Sequence, residues 1–472
     1  MTSLLHSASV IAANHAVDVL ASLKLPGTED RLFSLWLPFG FLGLIAWTVW
    51  LGRRFLTSLY RPIVNDHWEK ASVVAPCFRE EPEILEAAVR TWLLAGAYEV
   101  VLVFPEDDSD ARARAKHAFF MEPRVRHVTA DTTDKRLLLD VGIRVASREI
   151  VVLSDSDTVW EEDLLRNLVM PFADPSVGGV GTRQRVLEAH ASMWRRAADW
   201  QLDAKYLTYV PAMARKGGVS CLSGRTVAYR RPVLLEVLPE LVNETFRGKR
   251  CISGDDGRLT WLFLNRGYKT AYQQNAVAWT MMPDTARGFF MQRLRWSRNS
   301  YRCYLRAASR GWLFHQPAIT IVSVLQGLVA PLSLTIGFVF VGLAISRGDM
   351  LAIGVWGAWI LTGRGIRAID HLREQPRNIV LLPLMTVIIL FVMTVLKYYT
   401  FFTMNKQAWI TRRQDRGVAE GQSIGSLNDG LNTALVGIGN PALAAVAVGA
   451  SGASDAEAPA RLRRFERARR DA

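Results

Sequence analysis

The stretch Ser147–Trp160, SREIVVLSDSDTVW, runs from β-branched apolar residues straight into two carboxylates, Asp155 and Asp157, separated by one serine. The apolar run reads as a buried strand. A buried, unpaired carboxylate is costly, so the pair must reach solvent, a cation or a partner charge. Two carboxylates on a D-x-D turn at a strand end can hold a hard divalent cation that bridges two phosphates. The same turn can also cap a following helix, so the residues around it have to decide.

On the N-terminal side, the apolar runs ASVVAPCF, YEVVLVFPEDD and RVRHVTAD alternate with the helical patterns EPEILEAAVRTWLLAGA, DSDARARAKHAFF and TDKRLLLDVGIRVAS. Such alternation implies an α/β domain with a parallel sheet and helices on both faces. Ligands of these sheets sit at the carboxyl ends of the strands. Three strand ends are polar or acidic: Arg79 to Glu81, Asp107 and Asp108, and Asp155 and Asp157. On the C-terminal side, CISGDDGRLTWLFLNRGYKT places Asp255 and Asp256 at a helix start, where free backbone N–H groups favour carboxylates. MQRLRWSRNSYRCYLR then sets Gln292, Arg295 and Trp296 in a Q-x-x-R-W arrangement on a basic, aromatic helix. That helix would also suit a membrane interface, with its arginines snorkelling into headgroups.

The chain has 472 residues, 15 tryptophans and a formal charge of +13, which fits nucleic acid or an anionic membrane surface with an acidic substrate. Cys77, Cys221, Cys251 and Cys303 are far apart, so neither a zinc site nor a disulfide framework is signalled. Leu32 to Leu51 is almost uncharged and long enough to span a bilayer. Trp36, Trp47 and Trp50 lie towards its ends, and Arg53, Arg54 and Arg61 follow, which places the next domain in the cytoplasm. Leu4 to Leu23 reads as a loose amphipathic helix, and no removed signal peptide is expected. The expected division is an N-terminal segment (1–30), a membrane helix (31–55), a cytosolic α/β domain (70–312), membrane or interfacial helices (313–410) and a low-complexity tail (411–472). Ile319 to Ile345 is expected to cross and Leu351 to Leu361 to return, with Gly363 to Arg377 a basic cytoplasmic loop. Ile379 to Phe402 is expected to lie at the interface or re-enter, because both of its flanks are basic.

Taken in order, D-x-D, G-D-D and Q-x-x-R-W resemble the motifs of the processive family 2 glycosyltransferases, and among these most closely the hyaluronan synthases. DSDTVW, DPSVGGVGTRQRVL, CLSGRTVAYR and NKQAWITRR extend the similarity over roughly Ala71 to Arg413. The resemblance implies a GT-A fold, a Rossmann-like mixed sheet, set in the cytosol between membrane segments of a multi-pass plasma-membrane enzyme. It implies a UDP-sugar donor, a polysaccharide or lipid-linked acceptor, membrane lipids as neighbours and no nucleic-acid partner. Asp107 or Asp108 would contact the uridine, with Glu80 shaping the nucleotide pocket. Lys135 and Arg136 would lie near the diphosphate, and Asp155 and Asp157 would hold Mg²⁺ or Mn²⁺. Asp256, beside Asp255, would be the general base. Gln292, Arg295 and Trp296 would close over the leaving nucleotide and the acceptor sugar, with Trp409 beneath the site.

Two departures matter. Ser223 and Gly224 are followed by Arg225 where the family usually has proline, and Ile410 replaces the glycine of its W-G-T-R element. A nucleotidyl polymerase would also use paired aspartates, but the membrane spans and the Q-x-x-R-W helix oppose it. A membrane scaffold with a dead transferase domain would not need all these acids.

Overall fold

The computed structural model describes residues 41–407, Asp349 excepted. It divides into two compact units, which are taken separately.

The larger unit holds Leu59–Leu328 together with the chain from Leu396 onward. Its sheet has eight strands: β1 (Ala71–Pro76), β2 (Glu99–Pro105), β3 (Val125–Ala130), β4 (Ile150–Ser154), β5 (Thr158–Trp160), β6 (Val177–Val186), β7 (Thr226–Arg230) and β10 (Lys269–Thr280). A separate hairpin pairs β8 (Thr245–Phe246) with β9 (Lys249–Arg250). The order across the sheet is β3-β2-β1-β4-β7-β6-β10-β5. β1, β2 and β4 are buried along their whole length, as continuous apolar runs are when both faces of a parallel sheet are covered. The expected strands and helices of this first half all form. The second half differs from a purely parallel sheet: β7 runs antiparallel to both β4 and β6, and β5 antiparallel to β10. The result is the mixed sheet of a GT-A fold.

The main helices are α1 (Pro82–Leu94), α2 (Ser109–Ala118), α3 (Lys135–Val145), α4 (Met193–Asp203), α5 (Arg231–Val242), α6 (Asp255–Asn265) and α7 (Ala286–Ser309). Trp92 of α1 and Trp160 of β5 pack with ring centroids 5.6 Å apart. Both are fully buried, and burial of a large apolar side chain stabilises by about 1.5–3 kcal/mol. Their polar ends are also used. Trp92 Nε1 donates to Thr158 O at 2.8 Å, and Trp160 Nε1 donates to Thr226 Oγ1 at 2.9 Å. The core thereby grips both sides of the D-x-D turn, which leaves β4 and enters β5.

The smaller unit holds, among the described residues, 41–58 and Val329–Val395. Trp47 packs against Trp359 at 5.7 Å, Phe338 against Phe391 at 5.0 Å, and Arg54 pairs with Asp370. Of the expected span at Leu32 to Leu51, only the part within the helix Phe41–Ser58 is described. Among the described residues, two helical runs are long and apolar enough to cross a membrane, Ala318–Ser346 and Pro376–Thr403. The basic loop expected at Gly363 to Arg377 is instead mostly helical. Met350–Arg367 runs on through its first residues, and Ile369–Glu374 adds another turn and a half. Nothing in that stretch breaks a helix before Pro376, so its charges did not make it a loop. Leu4 to Leu23, Trp409, Ile410 and the tail from 411 lie outside the described residues.

Candidate functional site

A cavity of about 590 Å³ opens at the carboxyl ends of β1 and β4. These neighbours mark the point where successive crossovers leave in opposite directions, where open α/β sheets bind ligands. Asp155, Asp157, Glu80, Lys135, Ser223, Gly224, Asp255, Asp256, Gln292, Arg295 and Trp296 all line it, although 216 positions separate Glu80 from Trp296.

The D-x-D turn is built by backbone bonds. Asp155 N donates to Arg225 O at 3.1 Å, and Thr158 N closes the turn on Asp155 O at 3.2 Å. Its middle residue, Ser156, donates to Glu80 Oε2 at 2.9 Å. Glu80 is presented by a tight turn in which Arg79 takes a left-handed φ of 51°. Asp108 holds that turn by accepting the Arg79 N–H at 2.6 Å. Asp107 and Asp108 are not among the residues lining the cavity, so Asp108 serves the strand end rather than the pocket.

Asp134 caps α3 by accepting the Arg136 N–H at 2.9 Å, which points the next two side chains in different directions. Lys135 enters the cavity, with Nζ 2.9 Å from Asp155 Oδ1 and 3.5 Å from Asp255 Oδ2. Burial works against its charge, yet Asp155 and Asp255 outweigh it and hold the ammonium above the usual lysine range. Arg136 is a correction. It is buried and donates to Leu241 O, Glu244 Oε2 and Ser253 O, so it braces the loop before α6 instead of facing a diphosphate.

Burial raises the Asp155 pKa, against the pull of Lys135 and with the push of Asp157. Such a pair carries more negative charge than Lys135 alone relieves. Its donor atoms are hard carboxylate oxygens, so these residues fit a divalent cation such as Mg²⁺ or Mn²⁺.

Gly254 adopts φ 78° and starts α6, placing Asp255 and Asp256 in its first turn. A Cβ on Gly224 would come within 3.3 Å of both acids, so glycine allows the turn before β7 to approach them. Asp256 Oδ1 accepts its neighbour's N–H from Gly257 at 2.8 Å, and the Cys221 thiol donates to Oδ2 at 3.9 Å. Burial and Asp256 push the Cys221 thiol up to about 12, so it remains a neutral donor.

On α7, Gln292 Oε1 accepts from Arg293 at 2.7 Å, and two guanidiniums approach the Trp296 ring. Arg225 is 4.6 Å and Arg293 4.5 Å from its ring centroid, distances at which cation and ring attract. Lys205, Cys221 and Arg293 also line the cavity, and sequence reasoning missed all three. Arg293 carried a signal, lying inside Gln292–Trp296 itself. Gln407 clasps the loop before α6: its amide oxygen accepts from Ile252 N, and its amide nitrogen donates to Arg250 O, each at 3.0 Å.

Comparison with known proteins agrees with this geometry. Residues 69–299 match the family described as Glycosyltransferase like family 2. An N-acetylglucosaminyltransferase of Mesorhizobium japonicum is 26% identical over 373 residues, covering 76% of this chain and 85% of that protein. Another, of Rhizobium sp. (strain N33), is 30% identical over 250 residues, covering 52% of this chain and 55% of that protein. In structure, the mannosyltransferase of Pyrobaculum calidifontis in complex with GDP-Man and Mn2+ aligns with a TM-score of 0.52 at 20% identity, over 70% of this chain and 93% of that one. That last likeness concerns the fold. Residues 69–299, with their D-x-D turn, helix-borne acid pair and Q-x-x-R-W helix around one cavity, match glycosyltransferase family 2 and have a GT-A fold.

Proposed function

We propose that the protein is a membrane-bound, inverting glycosyltransferase that uses a UDP-sugar to extend a polysaccharide, in the manner of the hyaluronan synthases. The observation that carries this reading is the convergence of Asp155, Asp157, Asp256 and Trp296 on one cavity. Asp256 takes the proton of the acceptor hydroxyl as it attacks the anomeric carbon from the face opposite the leaving group. Lys135 and Arg295 meet the negative charge that develops on the departing diphosphate. A divalent cation bound by Asp155 and Asp157 would supply further neutralisation of that diphosphate. Trp296 offers the acceptor sugar a flat apolar face.

The names of the bacterial relatives make UDP-N-acetylglucosamine the first donor to test. The two long apolar helical runs support membrane attachment, and the basic residues after the first apolar stretch support a cytoplasmic catalytic domain at the plasma membrane. The test is to incubate membranes carrying the protein with labelled UDP-sugars and Mg²⁺ or Mn²⁺, then size the product. Labelled polymer supports the reading. A product one sugar longer than a lipid-linked acceptor replaces it with single transfer, and the absence of any nucleotide-sugar cleavage defeats it.

A further inference from the structure

From Asn378 to Asn405 the sequence carries one charge, Lys397, and Ala318–Ser346 carries none. An ammonium among apolar helices is costly, and neither helical run offers it a carboxylate. Its partner is a backbone oxygen: Lys397 Nζ donates to Gly327 O at 3.3 Å. Gly327 stands four positions before Pro331 in the same helix. A helical carbonyl accepts from the N–H four residues on, and proline has none to give. Pro331 therefore withholds from Gly327 its usual donor, and Lys397, 70 positions away in the chain, brings one. Ser323, one turn before Gly327 on the same helix face, lines the cavity. The helix bearing Lys397, Met393–Thr403, leads to the loop before α6. Thr403 Oγ1 accepts from Arg298 of α7 at 3.0 Å, and Met404 O accepts from Arg302 at 2.6 Å. Gln407 then clasps Ile252 and Arg250, and Arg302 donates to Ser253 Oγ at 3.2 Å. All of these contacts fall within the larger unit. The chain from Lys397 to Gln407 is thus a strut, tied at one end to Gly327 and at the other to the loop that presents Asp256.

We propose that Lys397 is a positioning residue for sugar transfer: by taking the carbonyl that Pro331 leaves open, it fixes the strut that sets the loop presenting Asp256. The proposal rests on the transferase reading above and adds a determinant of its base geometry that lies outside the cavity. Without the ammonium, Gly327 O has neither its helical donor nor a substitute, and the strut loses its tie to Ala318–Ser346. A stiff helix passes a displacement at one end to the other, so the loop before α6 shifts with it. The D-x-D turn is held by other partners, Arg225 O and Glu80, and does not depend on the strut. Loss of Lys397 therefore acts on the acceptor side of the reaction and spares the donor side.

The experiment uses the full chain in lipid nanodiscs with UDP-N-acetylglucosamine and Mn²⁺, and compares the parent with four variants. These are Lys397→Met, Lys397→Arg, Pro331→Ala and the Pro331→Ala, Lys397→Met pair. Lys397→Met should lower kcat by about tenfold or more, the scale of effect that a small misplacement of a catalytic group produces. UDP affinity, measured by calorimetry, should stay that of the parent, and Lys397→Arg, which keeps a donor, should restore most of the rate. Pro331→Ala returns to Gly327 its own helical donor, so in that background Lys397→Met should cost little. Parental kcat in Lys397→Met overturns the proposal. So does an equal loss of UDP affinity, which would mean a general loosening of the fold. An undiminished loss in the Pro331→Ala background overturns it as well, because the ammonium would then act elsewhere than on Gly327. Thermal midpoints of the same proteins read the cycle without turnover. Coupling in the midpoints with no donor cleavage by the parent would keep the bond and defeat the transferase reading itself.

Discussion

The Lys135 ammonium lies 2.9 Å from a carboxylate oxygen of Asp155, so the first acid of the D-x-D turn is held by a cation of the protein itself. The same ammonium reaches Asp255 at the start of α6. One charge therefore links the turn proposed for the metal with the helix proposed for the base. Lys135→Ala should lower kcat/KM by about 10²–10³, the usual effect of removing one preorganised donor from developing negative charge. It should also lower the thermal midpoint, because two carboxylates lose their common partner. A steady-state assay with a melting curve checks both, and unchanged kinetics would remove Lys135 from the machinery.

Asp256→Asn keeps the shape of α6 and the bond to Gly257 while abolishing a base. Transfer should fall about 10²–10⁴-fold, with UDP affinity close to that of the parent. Near-normal sugar transfer would show that another group accepts the proton.

The Asp155→Ala, Asp157→Ala double variant addresses the cation. Calorimetric titration of UDP with and without Mn²⁺ should show a metal-dependent gain in affinity for the parent and little or none for the variant. A retained gain would place the metal elsewhere.

The cysteines give a prediction about pH. Burial and Asp256 raise the Cys221 pKa to about 12, and burial also raises those of Cys77, Cys251 and Cys303. A raised thiol pKa favours the neutral form, so at pH 8 Cys221 should carry about 10³-fold less thiolate than an ordinary thiol. Peptide mass spectrometry after brief iodoacetamide treatment should find all four unmodified in the native protein and modified after unfolding. Rapid native alkylation of Cys221 would contradict its closed bond to Asp256.

Membrane sidedness can be tested at Lys406, which is exposed beside the Gln407 clasp. The clasp ties this end of Pro376–Thr403 to the catalytic domain, so Lys406 should face the cytoplasm. Lys406→Cys should resist a membrane-impermeant thiol reagent in intact cells and react once they are opened. Labelling in intact cells would place Lys406, and the catalytic domain clasped to it, outside.

Much of this architecture was visible in the linear pattern because its signals are local. The runs that became β1 to β4, the acids opening α6 and the spacing Gln292, Arg295, Trp296 each depend on residues a few positions apart. What escaped depends on distant partners. Arg136 and Lys135 are adjacent in the chain, and partners more than a hundred positions later, Leu241, Glu244 and Ser253, draw one away from the cavity that receives the other. The reversal of β7 has no local mark, because strand direction follows from what lies on either side. Arg225 stood out as a departure from the family's proline, but its approach to Trp296 is a tertiary fact.

The Gln407 clasp has a bearing on the order in which a ribosome can complete this molecule. The loop presenting Asp256 is fastened by a residue 155 positions beyond Ile252, so that fastening cannot exist until both long apolar helical runs have been synthesised. A fragment ending before them would leave the Ile252 amide and the Arg250 carbonyl without this partner. The Met404 carbonyl that accepts from Arg302 of α7 at 2.6 Å would be missing as well. The loop that would carry the proposed base thus receives its last fastening only after both apolar helical runs have been made.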